Sequence, residues 1–306
     1  MNFEGEEREK AVGIGYTVIA YAAWGLLPLY WNYLKQVAAF EILAHRIFWS
    51  FLFVLLLLML YRRWPQFKEA FHSRHIMLAA FFCSLLISVN WFIYIWGVNN
   101  GHVIESSLGY YINPLFSVAL GVLVLREKLT RWQTIALAIA GLGVAILMIQ
   151  YGKVPWIALS LAITFGLYGL AKKKAQAEAL VGLALETVFM VPFAFGYLVF
   201  LETSGAGAIG HVSTSELLVL AGSGIVTALP LLWFAKGTRL VPLSTIGFIQ
   251  YLSPTITLLI GVFVFKETFT SVHMVSFAFI WCALLLYSLS HTSLAHQLSG
   301  FGKARS

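Results

Sequence analysis

Ten stretches of roughly 20 mostly apolar residues follow one another along the chain, joined by connections of about a dozen residues at most. A helix of that length crosses a hydrocarbon core about 30 Å thick, and it satisfies its own backbone groups where no water is available. The spans read as residues 11–33, 39–61, 76–97, 104–125, 132–150, 154–171, 180–201, 216–235, 243–265 and 273–290. Hydrophobic residues make up 60% of the chain and charged residues 11%, outside the range of soluble domains. The chain therefore reads as an all-α integral membrane protein. The longest connections, 62–74 and 202–215, leave no room for a soluble domain, so its function is expected within the bilayer.

The first span is preceded by Glu4, Glu6, Glu7, Arg8, Glu9 and Lys10, with no small-residue cleavage site, and reads as a retained helix. Cys83 and Cys282 both fall inside spans and offer neither a disulfide framework nor a metal spacing.

The segment Tyr111 to Thr130 returns as Tyr251 to Thr270. Tyr111, Pro114, Gly121, Val122, Val124, Glu127 and Thr130 are matched 140 residues later by Tyr251, Pro254, Gly261, Val262, Val264, Glu267 and Thr270. A repeat at almost half the length points to duplication of one unit. The halves are 11–150 and 151–290, five spans each, with tails at 1–10 and 291–306. An odd number of crossings turns the second unit upside down relative to the first, an arrangement that many carriers use for alternating access.

The basic residues fix the orientation. Arg8, Lys10, Arg62, Arg63, Lys68, Arg74, Arg126, Lys128, Arg131, Lys172, Lys173, Lys174, Lys236, Arg239, Lys303 and Arg305 fall on one side of the predicted topology, and only Lys35, Lys153 and Lys266 on the other. This bias places both termini in the cytoplasm. It also accounts for the net charge of +7 without a nucleic-acid partner. Glu127 then lies on the inner side and its counterpart Glu267 on the outer, as inversion requires.

Ser107, Tyr110, Pro114, Ser117 and Gly121 share one helical face, and so do their counterparts Gly247, Gln250, Pro254, Thr257 and Gly261. Each proline lacks an N–H and releases the carbonyl four residues earlier, on Tyr110 and on Gln250. An unpaired carbonyl facing lipid is expensive, so both faces should look toward protein or a wet cavity. Pro114 and Pro254 are expected along a solute path. Gly121 and Gly261 are expected at close helix contacts or hinges.

Arg46 lies within the second span, and 140 residues later Glu186 lies within the seventh. A charge at that depth needs a partner or water. Both residues are candidates for the solute site, with Arg46 suited to a carboxylate or other acidic substituent; the alternative is a structural lock. Trp24, Asn90, Trp91, Tyr94, Tyr110, Asn113, Trp233, Gln250 and Tyr251 complete the candidate set, the amides because a buried amide needs several partners. Tyr21, Trp24, Pro28 and Trp31 form one stripe on the first span, whose outer member Trp31 reads with Trp96 as an interface anchor. Glu41 and Glu105 are expected to be solvated at outer helix ends, and His45 to be packed or interfacial rather than a proton carrier.

Enzyme chemistry finds little footing. Ser223 and His273 could suggest an intramembrane serine hydrolase, but Ala221, Gly222, Ser223, Gly224 lacks the first glycine of the nucleophile motif. No P-loop, metal cluster or cofactor fingerprint is present, so no cofactor is expected.

The stretches Glu41 to Ser50 (EILAHRIFWS), Ser107 to Leu115 (SLGYYINPL) and Thr227 to Thr255 (TALPLLWFAKGTRLVPLSTIGFIQYLSPT) resemble the RarD group of EamA-type permeases in the drug/metabolite transporter superfamily. The resemblance spans nearly the whole membrane region. It implies ten helices in two inverted halves around a central cavity, peripheral fifth and tenth helices, and the bacterial inner membrane. The expected function is secondary export of a small organic solute, amino-acid-like metabolite or drug, with protons as candidate coupling ion. A membrane receptor or scaffold without flux is the competing class.

Overall fold

The computed structural model describes residues 3–100, 102–175, 177–266 and 271–289. The repeat positions Glu267 and Thr270, and the tail from 291 onward with Lys303 and Arg305, lie outside the described residues. Twelve helices are described: α1 (Phe3–Tyr33), α2 (Ala39–Leu60), α3 (Trp64–His72), α4 (Arg74–Asn99), α5 (Val103–Leu123), α6 (Arg131–Tyr151), α7 (Trp156–Lys174), α8 (Ala179–Thr203), α9 (Thr214–Leu240), α10 (Leu243–Gln250), α11 (Leu252–Phe263) and α12 (Ser271–Leu289). Among the described residues nine helical stretches are long and apolar enough to cross a bilayer, with α10 and α11 forming one of them. The remaining predicted span corresponds to α7, whose last turn is Lys172, Lys173 and Lys174.

Three departures from the expected elements have local causes. The connection 62–74 forms the short helix α3, opened by Pro65 in its first turn and burying Phe67 and Ala70 on one side. The ninth span is interrupted at Tyr251, where Pro254 cannot donate to the Gln250 carbonyl. There Thr255 donates both its backbone N–H and its hydroxyl to the Tyr251 carbonyl, at 3.1 and 2.8 Å. The equivalent helix α5 runs unbroken through Pro114. Finally, α7 continues through its lysines instead of stopping at 171.

The packing comes in matched couples. α1 lies against α9 and α11, as α7 lies against α4 and α5; α2 lies against α8 and α9, as α8 lies against α2 and α4. α5 crosses α10, while α6 and α12 pack chiefly against each other. The α5–α10 crossing is close because Gly247 has no side chain: a Cβ there would come within 2.7 Å of the Pro114 carbonyl oxygen. The main core gathers α1, α2, α4, α7, α8 and α9 around Tyr21, Tyr168, Phe234 and Leu185.

One end of the bundle collects predicted inner segments. Arg63 pairs with Glu178 at 3.5 Å, and Lys173 donates to the carbonyls of Thr238 and Val241 at 3.2 and 2.5 Å. Glu127 accepts the backbone N–H groups of Leu243 and Ser244 at 2.7 and 2.8 Å, a carboxylate set on the N-terminus of α10. This is the basic end.

Candidate functional site

Arg46 projects from α2 into the bundle. Its Nε donates to Thr227 Oγ1 on α9 at 3.0 Å. Its guanidinium carbon lies 4.8 Å from the centre of the Trp31 ring and 4.9 Å from that of Trp91, so indoles of α1 and α4 both meet the charge. Each such contact is worth about 0.5–2 kcal/mol, the upper figure where water is excluded. Among the described residues no ion pair involves Arg46. Tyr94 and Tyr110 stand nearby with ring centres 5.7 Å apart, edge to face, their hydroxyls close to each other and within the field of Arg46. Tyr94 and Tyr110 are 36% and 46% exposed, so phenol surface remains accessible beside the cation.

Glu186 is differently placed. Its Oε1 lies 2.6 Å from Lys172 Nζ, and its Oε2 accepts the Tyr168 hydroxyl at 3.3 Å. Lys172 also lies over the Tyr168 ring, 5.6 Å from its centre. Both charges of the pair are buried. The spacing of 140 residues therefore does not bring Arg46 and Glu186 into an ion pair.

The other candidates divide by contact. Asn90 donates to the Leu161 carbonyl and to Thr164 Oγ1, both at 2.9 Å, tying α4 to α7. Gln250 is buried and accepts from Ser117 Oγ at 3.1 Å. Asn113 Oδ1 and the Tyr251 hydroxyl are buried without a hydrogen-bond partner. Trp24 packs edge-on against Tyr21 and Phe165, and Trp233 packs half-buried on the same core. Pro114 meets Gly247, Pro254 and Gly261 are buried, and a Cβ on Gly121 would come within 2.9 Å of Ser244 N.

Sequence reasoning missed three members. Lys172 was expected in a solvated connection and is instead buried on Glu186. Trp31 was expected as an interface anchor and instead flanks Arg46; its place on the Trp24 stripe was the available signal. Thr227, the first residue of the longest motif, is the hydrogen-bond partner of Arg46. A further correction concerns Glu41 and Glu105, which are buried rather than solvated. Glu41 accepts the Ala208 N–H at 2.6 Å, while Glu105 accepts the Ile157 N–H at 2.7 Å and the Tyr151 hydroxyl at 2.6 Å. Ser223, the residue of the hydrolase alternative, is buried and donates to the Leu220 carbonyl.

Comparison with known proteins places this multi-helix membrane bundle, with its cation lodged between aromatic rings, among membrane transporters. Residues 11–149 and 153–289 each match the EamA-like transporter family, and the chain belongs to that family, as a RarD-type permease. It is 48% identical over 288 residues to the uncharacterized transporter YojE of Bacillus subtilis, covering 93% of this chain and 96% of that one. It is 44% identical over 281 residues to the protein RarD of Streptomyces exfoliatus, covering 92% and 89%. A solved crystal structure of a protein matches its fold with a TM-score of 0.69 at 16% identity, covering 92% of this chain and 98% of that one.

Proposed function

We propose that the protein exports a small amphipathic organic solute by alternating access, with Arg46 binding an anionic group of that solute. The observation that carries this reading is the Arg46 guanidinium, held between two indoles with no carboxylate at ion-pair distance among the described residues. A charge in the bilayer is retained at a cost of at least about 2.5–3.5 kcal/mol, which a visiting anion offsets. Trp91, Tyr94 and Tyr110 supply apolar and hydroxyl surface for the rest of the solute. Trp24, Asn90, Asn113, Glu186, Trp233, Gln250 and Tyr251 form the surrounding layer, which helix movement exposes.

The basic end lies in the cytoplasm, with both termini, in a bacterial inner membrane. Segments 11–150 and 151–290 act as inverted halves. The contacts of Ser117 with Gln250 and of Glu127 with α10 support a state closed at the basic end. Protons are the proposed coupling ion and Glu186 the carboxylate concerned. If solute flux into vesicles is unchanged when the pH gradient is collapsed, proton coupling is dropped.

The test uses purified protein in liposomes with radiolabelled benzenesulfonate, an aryl anion that stays ionised and does not cross lipid as a neutral acid. Benzenesulfonamide is the neutral control. Saturable flux of the anion, lost in Arg46→Met, is the expected result. Flux no greater than in protein-free liposomes, with no binding, contradicts it and favours a receptor or scaffold.

A further inference from the structure

Two cavities meet at one residue. The first is a cleft walled by small residues of α4, α8 and α9, among them Ala80, Gly182 and Ala235, and it reaches Arg239 at the basic end. The second is a chamber bounded by Trp91 and Thr227, the residues that touch Arg46. Glu186 lines both, and Lys172 lines the cleft. The Lys172–Glu186 pair thus stands between the cleft and the chamber beside Arg46.

Lys172 is turned inward by its place on α7. Of the three consecutive lysines, Lys173 reaches the carbonyls of Thr238 and Val241, Lys174 is exposed, and Lys172 alone is buried. An ammonium has three N–H donors. Among the described residues one of them meets Glu186, and the Tyr168 ring face is the only other contact of the charge. The ammonium therefore retains donor capacity at the floor of the cleft.

Building on the Arg46 reading, we infer that Lys172 is a second anion site: the solute's anionic group docks on it from the cleft before passing to Arg46. A second anion on the ammonium competes with Glu186 for one charge. That competition loosens the pair and opens the partition into the chamber. An ion pair broken by deletion of one partner leaves an uncompensated buried charge, whereas a competing anion keeps the ammonium compensated, and the released Glu186 is neutralised by taking up a proton, the coupling ion proposed above, while keeping its contact with the Tyr168 hydroxyl. The path then consists of two cations, Lys172 and Arg46, with Glu186 holding the first until solute arrives.

The experiment compares wild type with the double variant Lys172→Met/Glu186→Met in liposomes, using benzenesulfonate. Removing both charges together avoids an orphaned ion, so the variant is expected to insert and melt as wild type does. Efflux is followed with no pH gradient across the membrane, so that proton coupling through Glu186 supplies no drive, and is expected to fall about tenfold or more, while binding at Arg46 is read in parallel by tryptophan fluorescence. Efflux equal to wild type shows that the pair is a structural lock alone and overturns the inference, leaving the Arg46 reading intact. If the double variant fails to insert, Lys172→Glu/Glu186→Lys keeps the pair with its charges exchanged. Loss of efflux with retained binding then supports the anion site, and full efflux overturns it. Absence of benzenesulfonate binding to wild type overturns the Arg46 reading itself and this inference with it.

Discussion

Ser117 donates to Gln250 across the α5–α10 crossing at 3.1 Å, yet the residues at the mirrored positions, Thr257 and Tyr110, are engaged elsewhere. Thr257 donates to the Gly25 carbonyl at 3.3 Å, and Tyr110 packs edge to face with Tyr94. The two halves of one repeated motif thus hold different contacts at the same time. A carrier built of inverted halves would exchange those contacts to reach its other state, forming a Tyr110–Thr257 contact as Ser117–Gln250 breaks.

Arg46 and Glu186 should respond differently to neutralisation. Arg46→Met orphans no carboxylate and is expected to insert and melt close to wild type while abolishing transport. Glu186→Gln leaves Lys172 buried without a counter-charge and is expected to destabilise the protein by about 3–5 kcal/mol. Thermal melts of the two variants in detergent, read beside flux, check the contrast.

Trp31→Ala and Trp91→Ala each remove one ring from the Arg46 charge. Each is expected to weaken anion binding by about 0.5–2 kcal/mol, roughly two- to thirtyfold in Kd. A neutral analogue should be affected less. Fluorescence or calorimetric titration with both ligands checks this.

Gly247→Ala places a methyl group 2.7 Å from the Pro114 carbonyl oxygen, a backbone atom that cannot rotate away. The helices must separate there, and a loss of about 1–3 kcal/mol is expected. Gly141→Ala meets nothing within 4 Å and serves as control. Melting temperatures of the pair check the claim.

Glu127→Gln weakens the carboxylate contact with the two N–H groups opening α10. A loss of about 0.5–2 kcal/mol is expected, which under the alternating-access proposal falls on the state closed at the basic end. The variant should therefore open that end more often, and hydrogen exchange of Leu243 and Ser244 should accelerate.

Helices were legible because lipid leaves the backbone few other choices, and the apolar runs mark where they lie. The repeat was legible because seven identical residues recur at the same spacing around Pro114 and Pro254. Partners were not legible. Whether Lys172 ends a span or enters the bundle depends on which way the last turn of α7 faces, and an apolar run that stops at Ala171 hides that direction. Glu41 and Glu105 read as solvated because a span end usually is. Their backbone partners, the N–H groups of Ala208 and Ile157, lie far along the chain and carry no side-chain signal. Tyr110 and Gln250 are equivalent in sequence, yet one is 46% exposed and the other 5%, because the two halves are caught in unlike contacts.

The most direct test of alternating access is cysteine labelling at those two positions. Cys83 and Cys282 are first replaced by alanine and serine, since Cys282 is exposed. Tyr110→Cys is then expected to label from the side opposite the basic end while Gln250→Cys is protected, and conditions that open the basic end should reverse both. Simultaneous labelling of both from both sides, or no reversal under any solute or gradient, would contradict a carrier.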